Sequence, residues 1–287
     1  MIPFTYPLRI LGEVKYRSKP LSKSYVREYI GVIKDIQENY FTADGSNTDT
    51  LPERKMEIGV YFSANGFQPE AEKLAFAHGI KTISYQNNFL LKEIKNSIEE
   101  LEASHLSVKC LSQDQWNEHK RYFIYSIKYS DYVSQATAPK GLPVEASQIL
   151  SQINTSLRHI NSSFIATTAT GVFLHFLGEH RFPEELFKYG DDAHCRIFYH
   201  DENERNLSNR RSFYLVFRED PQQRRFYFTP PESLDQAAVH GGKAVLDAKR
   251  HVFRYLKVNT VINGIARNLV INLDQDWLDA IRVGTQR

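Results

Sequence analysis

Strand and helix patterns alternate through the first hundred residues, and that alternation limits what the chain can fold into. "PLRILGEVKY" reads as a strand, and Ser22 or Ser24 then offers an N-cap. Val26, Tyr29, Ile30, Ile33 and Ile36 recur at helical spacing, which predicts a helix over about 23–38. The polar stretch "ENYFTADGSNTDTLPER", with its Gly and Pro, reads as a loop. "MEIGVYFSA" follows as a near-continuous apolar strand of the kind covered on both faces. In "QPEAEKLAFAHG", Pro69 suits a first helical turn, Glu70 and Glu72 favour its positive end, and Gly79 suits the stop. "IKTISY" is a third short strand. "NNFLLKEIKNSIEELEASH" is an amphipathic helix with Leu91, Ile94, Ile98 and Leu101 on one stripe. Such an order implies parallel strands joined by crossover helices, hence an α/β sheet with residues 8–15, 57–63 and 80–85 as neighbours.

The pattern changes after about residue 105. "RYFIYSIKYS", "SSFIATTATGVFLHFL", "HCRIFYH", "RRSFYLVFRED" and "RRFYFTP" are aromatic and β-branched runs between polar turns, and they read as strands of a mainly antiparallel sheet. Helices are expected at roughly 145–160 and 235–256. A hairpin is expected around Asn263-Gly264. The chain of 287 residues is long enough for two domains, here 1–110 and 111–287, the second of the α+β class. Its net charge of +2 says little about partners, so any basic surface must be argued from position. Two cysteines, Cys110 and Cys195, make neither a disulfide framework nor a zinc site. No apolar run approaches the ~18 residues of a membrane helix, and "MIPFTYPLRIL" lacks the parts of a signal peptide. A soluble, cytoplasmic protein is the expectation.

The first strand carries Glu13 and Lys15 two residues apart, so both lie on one face and Val14 takes the other. A surface ion pair is the plain reading and is worth little. The pair, however, sits at the carboxyl end of a strand in a parallel α/β unit, where ligands bind. A carboxylate beside a lysine suits metal-assisted phosphodiester hydrolysis. Mg²⁺ takes oxygen ligands and one or two carboxylates, and a lysine orients water or stabilises developing charge. Arg17, Lys19 and Lys23 follow at once and suit sequence-independent phosphate contacts.

At these residues the chain resembles a known family. "GEVKYR" followed by "SKSYVREYIG" looks like the E-x-K strand and next helix of the PD-(D/E)XK nuclease superfamily. "IGVYFSANGFQPEAEKLAFAHGIKTISY" is similar to the succeeding strand, helix and strand of Mrr-like restriction endonucleases. The resemblance covers about residues 8–92. It implies a restriction-endonuclease-like sheet, Glu13 as a Mg²⁺ ligand, Lys15 as the catalytic lysine and DNA as partner. Glu28 occupies a helix position where many relatives carry Gln facing the site. The family's first metal-binding Asp lies upstream of E-x-K, whereas residues 1–12 here contain neither Asp nor Glu. Three explanations stand: a fragment or misplaced start, an acidic group from elsewhere in the chain, or a degenerate nuclease. The first is favoured, because "LRILGEV" would otherwise be an exposed apolar edge.

The expected activity is that of a Mg²⁺-dependent deoxyribonuclease, inactive or slow in this chain. A preceding segment bearing the Asp should restore cleavage. The alternative is a non-catalytic DNA-binding or assembly module that keeps the fold. Residues 111–287 could recognise DNA, bind another protein or form a homodimer. Arg205, Arg210, Arg211, Arg218, Arg224 and Arg225 lie among aromatics and suit phosphates and bases. The favoured reading is that the paired arginines at 210–211 and 224–225 flank solvated hairpin turns, with Phe and Tyr filling the sheet core. Lys249, Arg250, Arg254 and Lys257 read as a helix face, His175 as a satisfied structural histidine, and Gly241-Gly242-Lys243 as no phosphate loop.

Overall fold

In the computed structural model, residues 8–38, 56–101, 112–128, 138–139, 142–200, 212–230 and 251–277 are described. The chain is mixed α/β, with a three-stranded parallel sheet and a seven-stranded closed barrel. Its contacts group it into two units. One takes residues 1–86, 165–175 and 229–273, and the other takes 87–164, 176–228 and 274–287.

In the first unit, strands β1 (Leu8–Lys15), β2 (Met56–Ser63) and β3 (Lys81–Ser84) pair in that order, all parallel. They are the three strands expected as neighbours. Helix α1 (Lys23–Glu38) joins β1 to β2, and α2 (Pro69–Ala77) joins β2 to β3. Val26 and Tyr29 of α1 meet Tyr61 of β2, Ala71 and Ala75 of α2, and Ile80 in one buried cluster. Both crossovers therefore cover the same sheet face. Gly59 lets α1 lie close: a Cβ there would stand 2.4 Å from Ile33 Cδ1. On the other face of β1, Ile10 and Val14 are exposed, Val14 by 73%.

The same unit holds the hairpin of β9 (Tyr255–Ile262) and β10 (Ile265–Leu273). Asn263 and Gly264 turn it with φ of 52° and 78°, the left-handed pair that an Asn-Gly hairpin turn requires. The expected helix at 235–256 falls mostly outside the described residues. Its end is corrected, because Tyr255 opens a strand in which Leu256 and Val258 are buried between exposed Lys257 and Asn259. That period of two also removes Lys257 from the basic helix face. Lys249 and Arg250 lie outside the described residues, as do Gly241-Gly242-Lys243 and Cys110.

In the second unit, α3 (Lys92–Glu99) and α5 (Val144–Arg158) pack through Ile94, Ile149 and Ile153. The run "RYFIYSIKYS", expected as a strand, lies instead in helix α4 (Gln113–Lys128) as far as Lys128. The buried residues of that helix are His119, Tyr122 and Ser126, spaced as one helical stripe. Asn154 of α5 donates from Nδ2 to the Ser126 carbonyl at 2.6 Å. Packing against α5 thus overrides the strand preference of the aromatic residues.

The antiparallel strands of the second half close into a barrel of order β10-β6-β7-β8-β5-β4-β9. Its remaining strands are β4 (Ser162–Thr168), β5 (Phe173–Gly178), β6 (Asp192–His200), β7 (Ser212–Phe217) and β8 (Arg225–Phe228). "SSFIATTATGVFLHFL" is two strands, β4 and β5, around a turn where Gly171 has φ of 81°. Phe176, Phe217, Phe226 and Phe228 are fully buried, and the rings of Phe164, Phe182 and Phe217 all contact Phe226. Buried Cys195 is apolar packing, its thiol pushed far up by burial. Among the described residues no helix is long and apolar enough to cross a membrane.

Gly178 gives a test of this packing. A Cβ there would meet Ser162 Oγ at 2.5 Å and Phe226 Cδ1 at 2.8 Å, and three rings hold Phe226 in place. Gly178→Ala should destabilise the protein by about 1–3 kcal/mol, the usual cost of overpacking. Urea unfolding measures it, and an unchanged midpoint would contradict the packing described.

Candidate functional site

Parallel register decides which side chains share the site. Glu13 aligns with Tyr61 and Lys15 with Ser63, so all four lie on the sheet face that α1 covers. Lys15 is the last residue of β1. Its Nζ stands 2.7 Å from Glu13 Oε1, and each side chain is 35% exposed. The pair is half-buried. At that exposure it contributes at most about 1 kcal/mol to stability.

Tyr29 of α1 is buried against the same face. Its hydroxyl donates to the Leu11 carbonyl of β1 and accepts from the Val60 N–H of β2 at 3.2 Å. Burial pushes its phenol above the usual range, and nearby Glu13 adds to the shift. Tyr25, Glu28 and Tyr29 are spaced to share one side of α1. Tyr61 is 1% exposed, and its ring packs on Tyr29 at 4.9 Å and on Phe67 at 5.7 Å between centroids. Burial and then the carboxylates of Glu13 and Glu28 push the Tyr61 phenol up to about 12. Strand register thus sets Glu13 opposite a tyrosine that sequence reasoning passed over, and the Glu13 and Glu28 carboxylates both oppose its ionisation. A signal did exist: Gly59, Tyr61 and Ser63 alternate along β2 as one face, with hydroxyls towards its carboxyl end.

The loops after β1 and β2 are stitched together. Ala64 N–H donates to the Lys15 carbonyl at 3.2 Å, Leu21 N–H to Gly66 at 2.9 Å, and Gln68 N–H to Leu21 at 2.9 Å. Asn65 Nδ2 donates to the Arg17 carbonyl at 2.6 Å, and buried Ser63 donates to the Gly66 carbonyl at 2.8 Å. The Arg17 guanidinium lies 5.6 Å from the centre of the Tyr25 ring. Lys19 and Lys23 are exposed and have no acidic partner among the described residues. Together these groups can hold an anion beside a half-buried carboxylate–lysine pair. Among the described residues no three or more His, Cys, Asp or Glu side chains gather as a metal-binding group.

The arginine-rich segment sorts differently. Arg224 donates from Nε to buried Asp220 at 2.9 Å and also pairs with Glu185. Arg218 lies 3.5 Å from both Asp274 and Asp276, and Arg196 donates to Asp274 at 2.8 Å. Those arginines tie turns and strand ends together. Arg225, 4.9 Å from the centre of the Tyr214 ring, has the form of an aromatic-stacked cation. Arg205, Arg210 and Arg211 lie outside the described residues.

The chain matches no protein-family model, no curated protein and no solved structure.

His175 is a structural histidine. Its Nδ1 is 2.6 Å from the Tyr85 hydroxyl, and the Phe62 ring lies edge-on to the imidazole with centroids 6.5 Å apart. Burial lowers its pKa from 6.5 to about 4 and raises that of Tyr85 well above its ordinary value. The unfolded chain protonates this group near 6.5, while the folded chain resists until about 4. Between those values the unfolded state binds more protons, so stability falls as pH drops through that window. Urea midpoints of the wild type should decline from pH 6.5 to pH 4, and His175→Gln should lose that part of the slope. Equal slopes in the two proteins would contradict the buried, neutral histidine.

Proposed function

We propose that the chain is a restriction-endonuclease-like phosphodiesterase that hydrolyses DNA with Mg²⁺. The observation that carries this reading is the half-buried Glu13–Lys15 pair at the carboxyl end of β1. Oxygen donors suit Mg²⁺, and Glu13 is the residue that would hold it, with substrate phosphate and water completing the shell. Bound there, the ion would lower the pKa of water and neutralise charge on the scissile phosphate.

The chain's own groups divide the remaining work. Lys15 Nζ, already beside the carboxylate, orients the attacking water or meets the charge growing on phosphate oxygens. Arg17, Lys19 and Lys23 neutralise neighbouring phosphates without reading sequence. The stitched loops hold that basic segment in place against the site. Tyr61, with its phenol near 12, stays protonated at working pH and so acts as a donor, never as a base.

A second reading has its own support, because the described residues hold no larger gathering of metal-type ligands. On that reading the chain is a non-catalytic DNA-binding or assembly module.

Two measurements on the full chain decide between them. Mg²⁺-dependent cleavage of plasmid DNA should fall about 100-fold or more in Glu13→Ala and in Lys15→Ala, the scale of losing several kcal/mol of transition-state stabilisation. DNA affinity without metal should drop with salt, and Lys19→Ala and Lys23→Ala should each flatten the log–log slope by about 1. Cleavage indifferent to Glu13 would sink the assignment. Salt-sensitive binding with no cleavage by the unsubstituted chain would favour the module.

A further inference from the structure

One edge of the parallel sheet is left open by the fold. The order β1-β2-β3 makes β1 an edge, and among the described residues no strand pairs with its other side. The Ala64 N–H donates to the Lys15 carbonyl, and Lys15 aligns with Ser63. Lys15, Glu13, Leu11 and Arg9 therefore turn their backbone groups to β2, and those of Ile10, Gly12 and Val14 point out of the sheet edge. On the face away from α1, Ile10 is 49% exposed and Val14 73%. An apolar edge of this kind is a template for another strand, and natural sheets normally block it.

We propose that the strand which takes this edge is β1 of a second copy, paired antiparallel about a two-fold axis through Leu11. Charge selects the register. An antiparallel pair must set even residues of β1 against even ones, because those present the free backbone groups. Centred on Leu11, Arg9 of each copy stands directly opposite Glu13 of the other, and Ile10 opposite Gly12. Centring on Gly12 would set Arg9 against Lys15, and centring on Glu13 would set that carboxylate against itself. Centring on Ile10 would give Arg9 only Leu11. Of the registers that keep most of β1 paired, the one through Leu11 sets opposite charges together twice. Both are non-hydrogen-bonded pairs, in which opposed side chains come closest. Arg9 already holds Glu57 and Glu13 holds Lys15, but a guanidinium and a carboxylate each bond more than one partner. On the other face, Ile10 comes diagonal to Ile10 and Val14 of the second copy, within reach of apolar contact. Each α1 covers its own β1 and β2, so the two helices come two strand spacings apart, about 10 Å, an ordinary packing distance. The product is one continuous sheet with a Glu13–Lys15 pair from each copy on the same face.

A single strand edge is small against the ~1,600 Å² of a standard interface, so the dimer should be weak. Sedimentation velocity of the full chain should show a monomer–dimer equilibrium between about 1 µM and about 1 mM. Pairing needs neither metal nor DNA, so the outcome is independent of the hydrolase reading. Ile10→Pro removes a donor on the open side of β1 and spares its bonds to β2, so dimer should be lost from a folded chain. Arg9→Glu and Glu13→Arg each set like charges opposite at both pairs and should weaken self-association about 10-fold or more. Mixed in equal amounts, the two variants regain both opposite-charge pairs and should associate about as tightly as wild type. Circular dichroism and urea midpoints report whether each variant is folded. Where a charge variant fails to fold, Leu11→Cys takes its place. Opposed Cα atoms about 4.5 Å apart suit a disulfide, so oxidation should give a covalent dimer that the wild type does not form. A chain that stays monomeric throughout, or a folded Ile10→Pro protein that dimerises like wild type, would overturn the proposal. So would a mixture of folded charge variants no tighter than its components, or Leu11→Cys without a covalent dimer.

Discussion

One hydroxyl joins three elements of the first unit. Tyr29 reaches from α1 between β1 and β2, donating to the Leu11 carbonyl and accepting from the Val60 N–H. Its ring at the same time packs on Tyr61. A buried phenol is tolerated only when its polar end is satisfied, and here strand backbone satisfies it. The contact fixes where α1 lies along the sheet, and Gly59 lets the helix come that close. The placement of Tyr25 and Glu28 on the same helix follows from it.

The face beneath α1 is unusual in what it holds. Arg9, Glu13 and Lys15 share it with Leu11, and Arg9 pairs with Glu57 just as Lys15 pairs with Glu13. Opposite charges two residues apart, or directly across the strands, keep each burial tolerable without making it strongly stabilising. The distinction between the two pairs lies in position. Arg9 and Glu57 lie near the amino ends of β1 and β2, whereas Glu13 and Lys15 lie at the carboxyl end beside the stitched loops. Parallel sheets place ligands at that end because the loops there are free to present side chains.

In the second unit, charge is used for structure. Burial opposes ionisation of Asp220, but bonds from the Arg224 side chain and from backbone N–H groups pull it below the usual carboxylate range. Burial likewise opposes ionisation of Asp274, and Arg196, the Trp277 N–H and Arg218 outweigh it. A run of arginines that in sequence suggests nucleic-acid contacts is partly consumed in this way. Residue type alone does not separate a guanidinium that locks a turn from one that reaches solvent.

The sequence by itself determined the parallel sheet, its crossover helices and the hairpin at Asn263-Gly264. Each is written in short-range periodicity, capping residues and turn chemistry, which act within a few positions of the chain. It also placed Glu13 and Lys15 on one strand face, since parity in a strand is local. Tertiary structure decided the rest. The aromatic run at 121–128 is a helix because α5 packs along it, and the antiparallel strands close into a barrel because Phe-rich faces bury one another. Neither outcome is local, since each depends on segments distant in sequence. Tyr61 belongs to the same class: in sequence it is one more apolar-looking residue of a buried strand. Only the register of β1 on β2 sets it opposite Glu13.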